Sequence, residues 1–416
     1  MRFTRTAFRL CMVSSLVAGL ACDQAADRAT APAGSRATIP LSPQLGAAAT
    51  LVHVASVEQL YATVNAPANA GAALLLAPGT YVLSATDSAG VARPKGGRLE
   101  LQSDMSLYGV ADDRDAVVID ATALPAASVS VPPPLNRTAP VRIGRGTNTI
   151  EWLTILAHPT AAGGIAADLP GTASTRIRVA HVVSGGSARG VDVRNVGAAN
   201  AGRRIDAEIV DNEFSGPVQV IGMSEGIRLV NFVGANGGHI VATLSGNRTH
   251  GFQLGCIVAN NRSSNAVVEV RSSGDRFFAN ALGCLIAGGL SQATVGVANS
   301  NSTTFEAHGS QFVYDTAAVP GGEKGGILVI GGLSTILPNV ASYNTVSVAL
   351  WGSKISGNKG VNFEAFGARN AALSGIAGTN NHVTVSLNGV SKKIDVDTTA
   401  SLPADPAGTN TVGVIR

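Results

Sequence analysis

The word "LGCIVAN" at Leu254 to Asn260 returns as "LGCLIAG" at Leu282 to Gly288, 28 residues later. A strand-like word repeated at such an interval restricts the fold severely: a unit this short cannot bury its own apolar face, so units must stack. The interval recurs elsewhere. Polar residues close successive alternating apolar stretches at Ser184, Asn212, Asn247, Asp275, Ser310 and Ser353, with gaps of 28, 35, 28, 35 and 43 residues. Two positions beyond the last five stand Phe214, Thr249, Phe277, Phe312 and Ile355. A second apolar stretch follows each: "GPVQVIG", "LGCIVAN", "LGCLIAG", "GGILVIGG" and "GVNFEAFG".

The unit therefore reads strand, polar turn, apolar residue, loop, second strand. Alternation inside every strand suits a coil of three short strands per turn, with parallel neighbours about 4.8 Å apart and like residues forming ladders. Composition agrees: 49 glycines, 14% charged and 4% aromatic residues favour many short buried strands joined by tight turns. Insertions such as "YDTAAVPGGEKG" become loops that leave the stack undisturbed.

Cys256 and Cys284 then fall in one column on neighbouring rungs. Rung spacing lies within the Cα window for a disulfide, roughly 4.4 to 6.8 Å, and an exported chain lives where such a bond forms. Two stacked buried thiols are the simpler expectation, because neighbouring parallel strands seldom orient both Cβ atoms suitably.

Ahead of the clear rungs, "SVEQLYATVN" sets Ser56 and Gln59 at capping-box spacing, with Val57, Leu60, Tyr61 and Val64 on one helical face. A short amphipathic helix here covers the open end of a coil, which otherwise exposes unpaired backbone. "ALLLAPGTYVL", "GRLELQSDMSLYGV" and "AVVIDA" read as the first strands. The "PGTY" turn after an apolar strand, the turn at Gly109 and "VVIDA" resemble the N-terminal rungs of right-handed parallel β-helix proteins of the pectin-lyase-like superfamily. The resemblance covers about residues 51–397. It implies an all-β, right-handed parallel β-helix solenoid with a short N-terminal capping helix, the hand also being the general preference of parallel crossovers. That superfamily hosts lyases, hydrolases, isomerases, adhesins and inert scaffolds, so fold alone leaves activity open. A Pro-rich insertion at Leu124 to Pro140 is expected as a surface loop over one flank, and residues 398–416 as a loose tail.

The N-terminus gives an expected address. Arg2, Arg5 and Arg9 precede an apolar run from Leu10 to Ala21, the pattern of an export signal over residues 1–21. "AGLAC" followed by Asp23 resembles the bacterial lipobox, which implies lipidation of Cys22 and a membrane anchor in the cell envelope; ordinary signal cleavage is the plain alternative. Residues 22–50, rich in Ala, Pro, Ser and Thr, read as a flexible tether. Residues 1–21 carry three of the 30 basic residues and none of the 27 acidic ones, so the remaining chain has no net formal charge. Nothing in that balance suggests a nucleic-acid partner.

Polysaccharide-cleaving members of the superfamily work on the outer face of one sheet, with carboxylates that bind calcium or act as acids and Arg or Lys as base. Aligning the strands at Ile150, Ile177, Ile205, Ile240 and Val268 gives an outward column of Glu151, Arg178, Asp206, Val241 and Glu269. The next holds Leu153, Ala180, Glu208, Thr243 and Arg271, which His308 could continue. The candidate ligand-binding set is thus Glu151, Arg178, Asp206, Glu208, Glu269 and Arg271. The plain reading of such a face is a solvated sheet whose opposite charges relieve repulsion between rungs.

Superfamily signatures do not fix a catalytic site. The Gly-His-Gly of polygalacturonases appears only as "GGHI" around His239, the pectate-lyase "WIDH" is missing, and "VRIGRG" offers Arg142 and Arg145 without the expected proline. No histidine or cysteine spacing suggests zinc, and no P-loop or dinucleotide fingerprint suggests a nucleotide, so neither metal nor cofactor is expected. Trp152 shares the inward parity of Ile150 and is expected in the core; Trp351 precedes a turn and is expected to be partly exposed. The sequence favours a non-catalytic envelope scaffold that binds carbohydrate over its rival, a polysaccharide lyase or glycoside hydrolase.

Overall fold

In the computed structural model the described residues are 50–133, 135–216, 224–291, 297–315, 325–334, 340–370, 378–390, 395–402 and 408–416. Among them, the strands form three parallel sheets of twelve, nine and ten strands. One turn of the coil runs through the sheets in order: Arg204–Val210 lies in the first, Glu213–Ser215 in the second, Glu225–Phe232 in the third, and His239–Ser245 returns to the first. The chain is therefore an all-β solenoid, a right-handed parallel β-helix.

Alternation places one side of every strand inside. In the first sheet Val179, Ile209 and Leu244 are paired in register and fully buried. The second contributes Phe214, Thr249, Phe277, Phe312 and Ile355 in one column, and the Phe277 and Phe312 rings stack at 5.1 Å. Ile227, Cys256, Cys284 and Ile327 form the corresponding column of the third.

Cys256 and Cys284 sit in register, with Cα atoms 4.5 Å apart, and are joined by a disulfide. The stack of free thiols is thereby corrected: at this register both side chains point into the same core, which brings the sulfurs together.

Buried asparagines run between the rungs. Asn212 Nδ2 donates to Asn247 Oδ1 at 2.9 Å, and Asn247 Nδ2 donates to Asp275 Oδ1 at 2.8 Å. Ser184, expected to begin this series, lies instead in the inward column beside Phe214. Further ladders stand elsewhere: Asn195, Asn231 and Asn260; Asn301, Asn344, Asn381 and Asn410; and Asn280, Asp315 and Asn358. The asparagine Nδ2 groups also donate to backbone carbonyls, as Asn212 does to Val179 and Asn247 to Ile209, in the buried interior where an unmade bond costs about 1–3 kcal/mol.

The predicted helix forms as α1 (Val57–Asn65). Ser56 Oγ accepts from the Gln59 amide at 3.2 Å, while Gln59 Oε1 accepts from the Ala55 amide at 2.8 Å, one residue earlier than in the usual reciprocal box. Leu60, Tyr61 and Val64 are buried in the core that continues through the coil. The Pro-rich insertion packs against the third sheet: Thr138 Oγ1 donates to Asp168 Oδ2 at 2.9 Å and the Arg137 carbonyl accepts from Arg194. At the far end the coil passes the expected boundary at Asp397, because Val396–Leu402 pairs with the third sheet and Thr411–Ile415 with the first. Alternating Val412 and Val414 supply the parity that this last strand needs.

Candidate functional site

The outward face of the first sheet is where the six predicted charged residues lie, but in a different register. Ile205, Ile240 and Val268 align as expected. Val179, not Ile177, pairs with Ile150 and Ile209. A slip of two residues keeps every side chain on its expected face and changes only its neighbours. The outward columns are Thr147, Arg176, Asp206, Val241 and Glu269, and Thr149, Arg178, Glu208, Thr243, Arg271 and Glu306. Glu151 stands one column over beside Ala180, and His308 falls beside Ser273 and Trp351 instead of continuing Arg271.

Arg178 is the centre of this face. Its Nε lies 2.5 Å from Glu151 Oε1, and its Nη1 pairs with the Glu208 carboxylate. Burial disfavours its charge, but the bonds to Glu151 and Glu208 outweigh that effect and hold its pKa above the ordinary arginine value. The remaining predicted residues are paired separately. Asp206 meets Arg204 at 2.7 Å, Glu269 meets His239 Nε2 at 3.2 Å, and Arg271 meets Glu306 at 3.4 Å. The structure thus joins Glu151, Arg178 and Glu208 and leaves Asp206, Glu269 and Arg271 in local pairs. A depression of about 340 Å³ opens among Arg176, Asp206, Glu208, Val241 and Thr243. Arg176 forms no ion pair among the described residues.

Aromatic rings border the face along the turn into the second sheet. That turn takes one residue in the left-handed region on each rung: Trp152 at φ 59°, His181 at 55° and Asp211 at 52°, then Gly246, Gly274, Gly309 and Gly352. Trp152 is consequently half-buried, not core, because the strand alternation that predicted an inward side chain ends at Glu151. Its ring stacks on His181 with centroids 3.8 Å apart, and His181 Nδ1 lies 2.9 Å from Asp211 Oδ2. Trp351 is 46% exposed, and its ring lies parallel to that of His308 at 6.0 Å.

Sequence reasoning missed a second charged array, on the outward side of the third sheet. Arg142 Nε lies 2.5 Å from Asp168 Oδ1, Arg194 Nη2 lies 2.7 Å from Asp192 Oδ2, and Arg189 pairs with Glu225. Burial, and then the charge of Arg189, bring the Arg228 pKa down to about 10. The signal was present in "RGVDVRN", where Arg189, Asp192 and Arg194 flank the inward Val191 and Val193. Asp192 and Glu225 are both buried, so a polymer cannot reach them, and the array acts as an ionic layer outside the core.

Among the described residues no group of His, Cys, Asp and Glu is arranged to hold a metal ion. Among them also, no helix is long and apolar enough to cross a membrane.

No protein-family model matches the chain, and no curated protein matches it either. Similar solved structures include two Azotobacter vinelandii mannuronan C-5 epimerase A-modules. That of AlgE4 is 15% identical with a TM-score of 0.41, and that of AlgE6 is 14% identical with 0.39; each match covers 86% of this chain and 93% of the other. Pectate lyase Pel9A is 13% identical with a TM-score of 0.34, over 85% of this chain and 80% of its own. Likenesses of this degree transfer no residue role to this chain.

Proposed function

We propose that this chain is an exported β-helix, anchored to an envelope membrane through lipidated Cys22, that binds polysaccharide on the outer face of its first sheet without cleaving it. Cys22 and the tether lie outside the described residues, so the anchor rests on the sequence pattern. The observation that carries the binding reading is the pairing of Arg178 with both Glu151 and Glu208. A carboxylate already bonded to a guanidinium group is occupied, which suits hydrogen bonding to sugar hydroxyls better than proton transfer. Asp206 and Glu269 are likewise each bonded to a neighbour, Arg204 and His239. Trp351 supplies an exposed apolar ring against which a pyranose face can stack.

The test is a panel of acidic and neutral polysaccharides, scored in parallel for retardation of the protein in affinity gels and for new reducing ends or unsaturated products. Binding without products is expected. Turnover that disappears in Asp206→Ala would establish the rival lyase or hydrolase reading instead.

A further inference from the structure

A second cavity, of about 540 Å³, lies away from the first sheet, between the last turn of α1 and the outward side of the third sheet. Lys95, Arg142 and Arg145 line it, against the single carboxylate of Glu100. Glu100 is already shared: Lys95 Nζ, Arg98 Nη2 and Arg142 Nη1 all approach it, at 3.5, 3.1 and 3.3 Å. Those three contacts, with the buried Asp168 behind Arg142, leave Arg145 with no ion pair among the described residues. Arg145 donates only to the carbonyl of Pro170 and crosses Gly171 so closely that a Cβ there would fall 2.7 Å from its Nη2.

The wall behind repeats the imbalance. Arg203 is 1% exposed, donates to the carbonyl of Leu169 and to Thr175 Oγ1, and leaves Nε without a partner. Burial, and then the nearby positive charge of Arg145, bring its pKa down to about 10. A surplus of positive charge thus stands at this cavity, where Arg145 and, behind it, Arg203 have no ion pair among the described residues. Such surplus is relieved by an anion.

Uncharged groups narrow the ligand further. Gln102 Nε2 donates to the carbonyls of Val64 and Ala66, which leaves its Oε1 to accept, and Asn65 stands on the same rim. Acceptors and amides beside guanidinium groups match a molecule bearing hydroxyls as well as negative charge. The volume falls within the range of about 300–1,000 Å³ typical of small-molecule sites and exceeds what an inorganic anion needs.

We propose that the cavity formed by Lys95, Gln102, Arg142 and Arg145 binds a sugar acid, with Arg145 and Lys95 on the carboxylate and Gln102 on a ring hydroxyl. The site is independent of the first-sheet face and stands whether or not that face binds polysaccharide.

Calorimetric titration of the folded protein lacking residues 1–21 tests it, with glucuronate, glucose and sodium sulfate as probes at matched ionic strength. Glucuronate is expected to bind at least about tenfold more tightly than glucose, a difference of one salt-bridged carboxylate. Arg145→Gln and Lys95→Gln are each expected to weaken it about tenfold with an unchanged Tm, since neither residue is needed for the fold. Lys354→Gln, on the second sheet, is expected to leave the affinity unchanged. Equal binding of glucose and glucuronate, no effect of Arg145→Gln, or loss of affinity in Lys354→Gln would each overturn the proposal. So would sulfate binding as tightly as glucuronate, which would mark an adventitious ion only.

Discussion

Asp315 Oδ1 accepts from both the backbone amide and the side-chain Nδ2 of Asn280, at 3.0 and 3.3 Å, while Asp315 Oδ2 is buried with no hydrogen-bond partner. The neighbouring rung shows what a complete arrangement looks like: Asn358 Nδ2 donates to the Phe312 carbonyl and its Oδ1 accepts from the Asp315 amide. Asp315 offers an oxygen where the ladder wants a donor.

Burial raises the Asp315 carboxyl from 3.8 to about 8. The folded chain therefore holds this proton more tightly than the unfolded chain. The resulting stability is complete below about pH 3.8 and is lost as the pH rises through about 8. Thermal melts between about pH 6 and 9 are expected to show a falling Tm. Asp315→Asn is expected to remove that fall and to add about 1–3 kcal/mol at pH 9, the usual cost of an unsatisfied buried group. A variant as pH-sensitive as the parent would show that Asp315 does not set the slope.

The Cys256–Cys284 bond closes a loop of 28 residues. On the loop-entropy relation such a closure contributes about 3.6 kcal/mol. Replacing both cysteines by alanine is expected to lower denaturant stability by about 2–4 kcal/mol. Because both sulfurs are buried, reductant is expected to act only as the chain opens, so thiol release should follow unfolding in time. Alkylation of Cys256 and Cys284 in denatured, non-reduced protein, located by peptide mapping, would contradict the bond.

Arg178 and Arg271 lie in one outward column, with Glu208 and Thr243 between them, but differ in surroundings. Arg178 compensates the buried Glu151, whereas the Arg271 side chain is 79% exposed. Arg178→Ala is expected to cost about 2–4 kcal/mol in urea denaturation, because it strands a carboxylate away from water. Arg271→Ala should stay within about 0.5 kcal/mol. Equal effects would mean that Glu151 finds another partner.

Trp351 makes a sharper test of sugar binding than any charge on the face. Its ring is half exposed and meets His308 on the next rung. Trp351→Ala is expected to weaken polysaccharide binding about five- to tenfold, the worth of one aromatic stack, with little change in Tm. Unchanged retardation in affinity gels would remove this ring from the binding surface.

The stacking direction, the inward parity and the cysteine column were legible in the sequence because spacing and alternation are properties of the chain itself. Which rung neighbours which residue was less so. Ile177 and Val179, like Ile205 and Ile209 on the next strand, are apolar and share one face, so pattern alone does not say which pairs with which; the chain pairs Thr175 with Ile205 and Val179 with Ile209. Trp152 was misplaced because parity fails at a turn residue with positive φ, and tryptophan gives no hint of that conformation where glycine would. The third-sheet array escaped notice because Arg189 and Glu225 are 36 positions apart and meet only through register. The cavity was not legible for the same reason: Lys95 reaches it from one turn of the coil, and Arg142 and Arg145 from the next.

The covalent link between neighbouring rungs also sets how the molecule yields to tension. A solenoid drawn from its two termini frays from the ends inward, releasing slack one coil at a time. At the cystine that unspooling skips a loop of 28 residues, which stays knotted out of the load path until the sulfurs part. The bond thus shortens the reach of a stretched chain as well as steadying it at rest.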